Sequence, residues 1–199
     1  MSAHLIVGIL LAAGASRRFG TDKLTHSLPD GDPVAVRACR NLLAGSDKVL
    51  AVVRPGSSQL AALLQAEGAD VRVCADAGLG MGASLAFGVR ACPEAAAWLV
   101  ALADMPWIEP GTITKVADAL RSGALVAAPS RQGRRGHPVG FSAMLGAKLA
   151  ALGGDEGAKS VIQAHLDQLQ LIDCNDAGIF RDIDKPEDLY ISTRIGKPA

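Results

Sequence analysis

Short apolar runs recur along the chain, and segments with helical spacing lie between them. The runs fall at residues 5–11, 48–53, 71–74, 97–102 and 125–128, and the helical segments at 32–43, 57–67, 83–91 and 110–120. The runs at 5–11 and 97–102 carry no polar side chain, as expected of strands buried on both faces. Gly45 and Gly68 stand where the first two helices should end, and Pro110 lies in the first turn of a later one. Further helical patterns at 142–152 and 158–166, a short strand at 169–173 and a helix opening at 186–191 complete the alternation. Such an order predicts one α/β domain over residues 1–199, with a mostly parallel sheet covered by helices on both faces. In such sheets ligands bind outside the carboxyl ends of the strands, so the segments directly following strands are the ones to read for chemistry.

Composition narrows the function classes. The chain has 199 residues, 49% of them hydrophobic and 20% charged, which is enough for a real core. Lys plus Arg number 20 and Asp plus Glu number 20, so no net charge draws the chain to nucleic acid or an anionic membrane. Aromatic residues make up 4%, too few for a base-stacking platform. Cys39, Cys74, Cys92 and Cys174 lack the close spacing of a zinc site or redox dithiol and are expected to be reduced and structural. Ala13-Gly14-Ala15 mimics a signal-peptide cleavage site, but Arg17 and Arg18 follow the apolar run rather than precede it. The run reads as a buried strand, no stretch reaches the ~20 residues of a membrane helix, and a cytoplasmic location is expected.

The first run leads into Leu11-Ala12-Ala13-Gly14-Ala15-Ser16-Arg17-Arg18-Phe19-Gly20-Thr21-Asp22-Lys23. Gly14 permits a sharp turn and close ligand approach, successive N–H groups can form an anion nest, and Arg18 and Lys23 can add charge-assisted contacts to phosphate. The residues are equally compatible with an ordinary strand-to-helix turn bearing solvated basic side chains. The spacing is neither a dinucleotide fingerprint nor a Walker loop.

The fourth run leads into Ala103-Asp104-Met105-Pro106. A carboxylate there is placed to hold Mg²⁺, which prefers oxygen ligands, although a lone loop aspartate is more commonly a turn or cap residue. Asp182 and Asp184, in Asp182-Ile183-Asp184-Lys185-Pro186-Glu187-Asp188-Leu189, would share a face of an extended segment. Glu187 and Asp188 suit the first turn of the last helix.

The pattern L-A-A-G-x-S-x-R-x-G-x-x-K resembles the signature loop of the nucleotidyltransferases related to molybdenum-cofactor biosynthesis, the MobA-like family. Four further segments match in order: Gly80-Met81-Gly82-Ala83-Ser84-Leu85, Ala103-Asp104-Met105-Pro106, Gly136-His137-Pro138-Val139, and Asp182 to Leu189 with its D-I-D-x-P-E-D-L pattern; Gly154-Asp155-Glu156-Gly157-Ala158 is similar too. The resemblance covers nearly the whole chain and implies a Rossmann-like domain of the nucleotide-diphospho-sugar transferase type. Its nucleotide-binding half would span about residues 1–105 and its acceptor half about 106–199.

The resemblance also implies roles. Leu11, Ala12, Ala13, Gly14, Ala15, Ser16, Arg18 and Lys23 would wrap the nucleotide, joined by Gly80, Met81, Gly82 and Ser84. Arg18, Lys23 and Asp104 would be catalytic, and Asp104 with Asp184 would hold Mg²⁺, Asp182 being the alternative second ligand. Arg134, His137 and Asp155 would meet the acceptor, with His137 not acting as a general base because a phosphate nucleophile is already ionised. The implied reaction joins CMP from CTP to the terminal phosphate of the molybdopterin cofactor, releasing pyrophosphate. Ala13 favours the CTP-using branch, since the GTP-using branch typically has Gly there. Guanylyl transfer, transfer to another small phosphate ester, and non-catalytic cofactor binding are the alternatives. The implied partners are CTP or another nucleoside triphosphate, a molybdopterin-type acceptor, and transiently a molybdoenzyme or its chaperone. The polar stretch Leu24-Thr25-His26-Ser27-Leu28-Pro29 departs from the family's apolar one.

Overall fold

Strand β1 (Ile6–Ala12) is buried at every position and sits at the centre of an eight-stranded mixed sheet. The computed structural model describes residues 5–14, 19 and 22–194. Around β1 follow α1 (Val34–Gly45), β2 (Lys48–Val53), α2 (Ser58–Ala66), β3 (Asp70–Val73), α3 (Met81–Ala91), β4 (Ala97–Leu102), α4 (Pro110–Arg121) and β5 (Val126–Arg131). Then come β6 (Arg134–Arg135), β7 (Val139–Ser142), α5 (Gly146–Ala150), α6 (Lys159–Gln163) and β8 (Leu169–Asp173). The strand order is β3-β2-β1-β4-β7-β5-β6, with β8 paired to β5. Strands β1 to β4 run parallel, and β7 is antiparallel to both β4 and β5.

The period of two along β1 divides the core into two layers. Ile6, Leu10 and Ala12 pack with Ala38 and Leu42 of α1 and Ile113 and Val116 of α4. Val7, Ile9 and Leu11 face the opposite layer with Leu85 and Val89 of α3 and Leu149 of α5. Gly8 marks a close approach, because a Cβ there would come within 2.7 Å of Leu42 Cγ.

The sequence reading places most parallel elements within a few residues of these bounds. It reads no strand at Val139–Ser142, where Pro138 and Gly140 break the run, and it places Ser142 at the start of a helix over 142–152. That helix is instead a turn at Ala143–Leu145 followed by the short α5. What fixes β7 is pairing that a local pattern does not carry: Phe141, fully buried, stands opposite Trp98 of β4 and Val126 of β5. The last segment, Pro186–Arg194, is a 3₁₀-helix rather than an α-helix. All four cysteines are free thiols, and burial pushes the Cys39 thiol up to about 11, which suits a structural role. No helix among the described residues is long and apolar enough to cross a membrane.

Candidate active site

The chain passes from β1 through α1 to β2 on one side, whereas β4 docks on the other side of β1. The carboxyl ends of β1 and β4 therefore flank a topological switch point. A cleft of about 750 Å³ opens there. Leu11, Ala13 and Gly14 line it from the end of β1, Leu102 and Asp104 from the end of β4, and Gly80, Met81 and Ser84 from the start of α3.

Lys23 lies at the charged centre of this cleft. The Asp22 carboxylate accepts the Leu24 N–H at 3.2 Å and caps a one-turn 3₁₀-helix, Lys23–Thr25, which fixes where the lysine leaves the backbone. Its Nζ donates to Asp104 Oδ2 at 2.7 Å and to the Ile183 carbonyl at 2.6 Å, and lies 3.6 Å from Asp184 Oδ1. The residue is only 9% exposed. Asp184 reaches this place because the Ile183 N–H donates to the Asp104 carbonyl at 2.9 Å while the Ile183 side chain is fully buried. The Asp188 carboxylate then accepts the backbone N–H groups of Asp184 and Lys185 at 2.9 and 2.8 Å, holding the turn that follows.

The glycine segments at residues 80–82 and 153–157, read separately in the sequence, meet on the far wall. The Gly82 N–H donates to the Gly154 carbonyl at 2.8 Å. Gly80 has φ +120°, and a Cβ on it would overlap that same carbonyl. Close packing and positive φ together require glycine there. Gly82 therefore supports the wall rather than lining the cleft, and Ala12 points into the core at 2% exposure. Asp155, expected with Arg134 and His137, instead lines this cleft with Gly80, Met81 and Ser84. Ala15, Ser16 and Arg18 lie outside the described residues.

Arg134 and His137 line a smaller adjoining pocket of about 290 Å³, which shares Leu102 and Asp182 with the main cleft. The Arg134 guanidinium stacks over Phe180 at 4.4 Å. The His137 N–H donates to the Ile179 carbonyl at 3.0 Å, and its ring Nδ1 is buried with no hydrogen-bond partner among the described residues. Burial pushes the His137 imidazole down to about 4; the Arg135 cation adds to the shift and Asp182 opposes it. At neutral pH the ring is uncharged.

Sequence reasoning missed one cationic residue of the cleft. Arg54 lines it, follows directly on β2, and has Asp22 at 3.9 Å. The signal was available, since a charged residue immediately past a buried parallel strand sits where ligands bind. It stood outside every segment of the family pattern and was passed over.

An α/β sheet with a glycine-walled cleft, a lysine and two carboxylates at its switch point defines a nucleotide-binding transferase class. Residues 8–169 match the MobA-like NTP transferase domain, and the chain belongs to that family of nucleotidyltransferases. Nicotine blue oxidoreductase of Paenarthrobacter nicotinovorans is 30% identical over 193 residues, covering 93% of this chain and 95% of that protein. Purine catabolism protein PucB of Bacillus subtilis is 30% identical over 200 residues, covering 94% and 96%. The crystal structure of Rv0371c from Mycobacterium tuberculosis superposes with a TM-score of 0.80 at 25% identity, covering 92% of this chain and 95% of that one.

Proposed function

We propose that the chain transfers the CMP group of CTP to the terminal phosphate of a molybdopterin-type acceptor, releasing pyrophosphate, with Mg²⁺ as its cofactor. The observation that carries this reading is the convergence of Lys23, Asp104 and Asp184 at the end of β4, in a cleft large enough for a nucleotide.

The donor set fits Mg²⁺. Two carboxylates already share one cation, the Lys23 ammonium, and Mg²⁺ is commonly held by one or two carboxylates plus substrate phosphates. Asp104 and Asp184 would hold it, and bound there it would supply neutralisation of charge on the α-phosphate. Lys23, Arg54 and, from the sequence pattern, Arg18 grip the triphosphate. The N–H groups around Gly14, with Ala15 and Ser16, contribute further donors. The wall of Gly80, Met81 and Ser84 shapes the space for the nucleoside, and Ala13 at the cleft edge favours cytosine.

Arg134 orients the acceptor phosphate, with the uncharged His137 ring beside it in the same pocket. An acceptor phosphate oxygen attacks the α-phosphorus as the bond to the β-phosphate breaks, and the electron pair leaves with pyrophosphate. No protein nucleophile forms, and no proton must be removed from an ionised phosphate. Positioning and charge stabilisation supply the rate. Asp155, expected from the sequence pattern to meet the acceptor, lines the main cleft rather than the pocket of Arg134 and His137. The nucleotide half of the chain, about residues 1–105, supplies Lys23 and Asp104, and the acceptor half, about 106–199, supplies Arg134, His137 and Asp184.

The test is pyrophosphate release from CTP, GTP, ATP and UTP with Mg²⁺, with and without molybdopterin-type acceptor. CTP should be preferred over GTP by at least roughly tenfold in kcat/KM, because a wrong base leaves buried polar groups unpaired at ~1–3 kcal/mol each. Preferential formation of the guanosine dinucleotide overturns the cytidylyl assignment, and absence of acceptor-dependent pyrophosphate release with any nucleotide overturns the transfer reaction. A second reading follows the name of the Paenarthrobacter relative, an oxidation–reduction activity in the same cleft. Turnover of a redox dye without nucleoside triphosphate would favour it.

A further inference from the structure

We infer that Asp176 is a positioning residue for the transfer step: its buried carboxylate fixes the register between the segment that carries Asp104 and the segment that lines the smaller pocket. This rests on the reading of that pocket as the acceptor's.

Residues 104–109 follow β4, and residues 176–184 follow β8. The two segments lie side by side and run in opposite directions. At one end the Glu109 N–H donates to Asp176 Oδ2 at 2.8 Å, and at the other the Ile183 N–H donates to the Asp104 carbonyl at 2.9 Å. Between these ends Gly178 packs on the Trp107 carbonyl, which a Cβ would overlap, and the Arg181 guanidinium stacks over the Trp107 ring at 4.9 Å. Helix α1 holds the first segment in turn, because Asn41 Nδ2 donates to the Pro106 and Ile108 carbonyls at 3.0 and 2.9 Å. Residues 104–109 thus form a fixed platform, and Asp176 anchors the second segment to it. Asp176 is 4% exposed, and its other oxygen, Oδ1, accepts the Gly178 N–H at 2.7 Å and caps the turn Ala177–Phe180. Two N–H donors need an acceptor on each arm of the side chain. A carboxylate has both, and an amide of the same shape has one. The anchored turn builds the smaller pocket. Ile179, Phe180 and Asp182 line it, the Ile179 carbonyl accepts the His137 N–H at 3.0 Å, and Arg134 stacks over Phe180. A slip of the segment moves these groups relative to Asp104, and a misplacement of about 1 Å between reacting groups can cost ~100-fold in rate.

The experiment compares wild type with Asp176→Asn and Asp176→Ser. Asp176→Asn keeps the shape and sets an amide NH₂ against one of the two N–H groups. Asp176→Ser keeps a hydroxyl that can cap the turn and loses the reach to Glu109. In hydrogen exchange followed by mass spectrometry, peptides covering 107–111 and 178–183 should exchange roughly tenfold faster or more in both variants, with those of β1 and α3 unchanged. With molybdopterin as the acceptor, its kcat/KM should fall roughly tenfold to a hundredfold. CTP affinity measured without metal should be unchanged, because Leu11, Ala13 and Gly80 belong to other elements of the cleft. Leu64→Ala truncates a fully buried side chain of α2 and controls for lost stability alone, so it should leave the balance between acceptor and CTP unaltered. Unchanged exchange in the two segments overturns the inference. So does a loss shared equally by acceptor and CTP, or one that Leu64→Ala reproduces. Absence of acceptor-dependent pyrophosphate release in wild type overturns the transfer reading instead, and exchange in the two segments then decides whether Asp176 sets their register.

Discussion

Lys23 Nζ lies 2.7 Å from Asp104 Oδ2, although the two residues are 81 positions apart in sequence. The pair joins the loop after β1 to the loop after β4, and the Ile183 carbonyl on the same ammonium ties in the C-terminal segment. One buried cation thus assembles three chain segments at the switch point of the sheet. Asp104→Asn removes one charge of this cluster but keeps the shape and leaves Lys23 its other two partners. It should unfold cooperatively, near the wild-type temperature. Its turnover should fall by on the order of a hundredfold or more, since cation-supported charge stabilisation is worth several kcal/mol. Near wild-type turnover at limiting Mg²⁺ would remove Asp104 from the reaction.

Arg54 makes a different contribution. Its side chain is 37% exposed and its guanidinium lies 3.9 Å from Asp22, so the pair contributes less than about 0.5 kcal/mol to stability. Arg54→Ala should leave the unfolding midpoint unchanged. Triphosphate binding should weaken roughly tenfold, in keeping with a lost charge-assisted contact of ~1.5 kcal/mol. The loss should be equal for CTP and GTP, because phosphates carry no base identity. Isothermal titration with both nucleotides measures it, and unchanged affinities would make Arg54 a solvated rim residue.

The Gly80 wall supplies a stability prediction with an internal control. Gly80→Ala must adopt φ +120° and displace the Gly154 carbonyl, whereas a Cβ on Gly153 meets nothing within 4 Å. Gly80→Ala should cost about 2–3 kcal/mol, a fall of roughly 4–12 °C in Tm for a chain of this size. Gly153→Ala should stay within about 0.5 kcal/mol of wild type. Equal melting temperatures for the two variants would mean that the wall yields.

The parts of the molecule legible in the sequence are those whose cause is local. The continuous burial of β1 is written in Ile6 to Leu11, and the acidic residue after β4 follows from strand-end logic. The position of β7 was not legible, because Phe141 is placed by Trp98 and Val126 from distant strands. Nor was the ion pair of Lys23 with Asp104. The residue types suggested a lysine for phosphate and an aspartate for metal, but not that they neutralise each other. The same limit applies to Gly80 and Gly154: each reads as a turn glycine, and only the fold presses one against the other.

His137 yields a pH-dependent prediction whose sign follows from its burial. Its folded-state value, about 4, lies below the ordinary imidazole value of 6.5. Between those values the unfolded chain holds a proton on this ring and the folded chain does not. Stability therefore rises with pH across this window, is fully present above pH 6.5, and is lost as pH falls toward 4. His137→Asn removes the titrating group, so its urea midpoint should depend less steeply on pH in this window than that of wild type. Above pH 6.5 both should be flat with respect to this residue, because the ring is neutral in both states. Turnover should show no ionisation attributable to His137 between pH 5.5 and 8, as expected of a ring that stays neutral across that range. Parallel midpoint curves for wild type and His137→Asn from pH 4 to 6.5 would show that the ring is as hydrated in the folded chain as in the unfolded one.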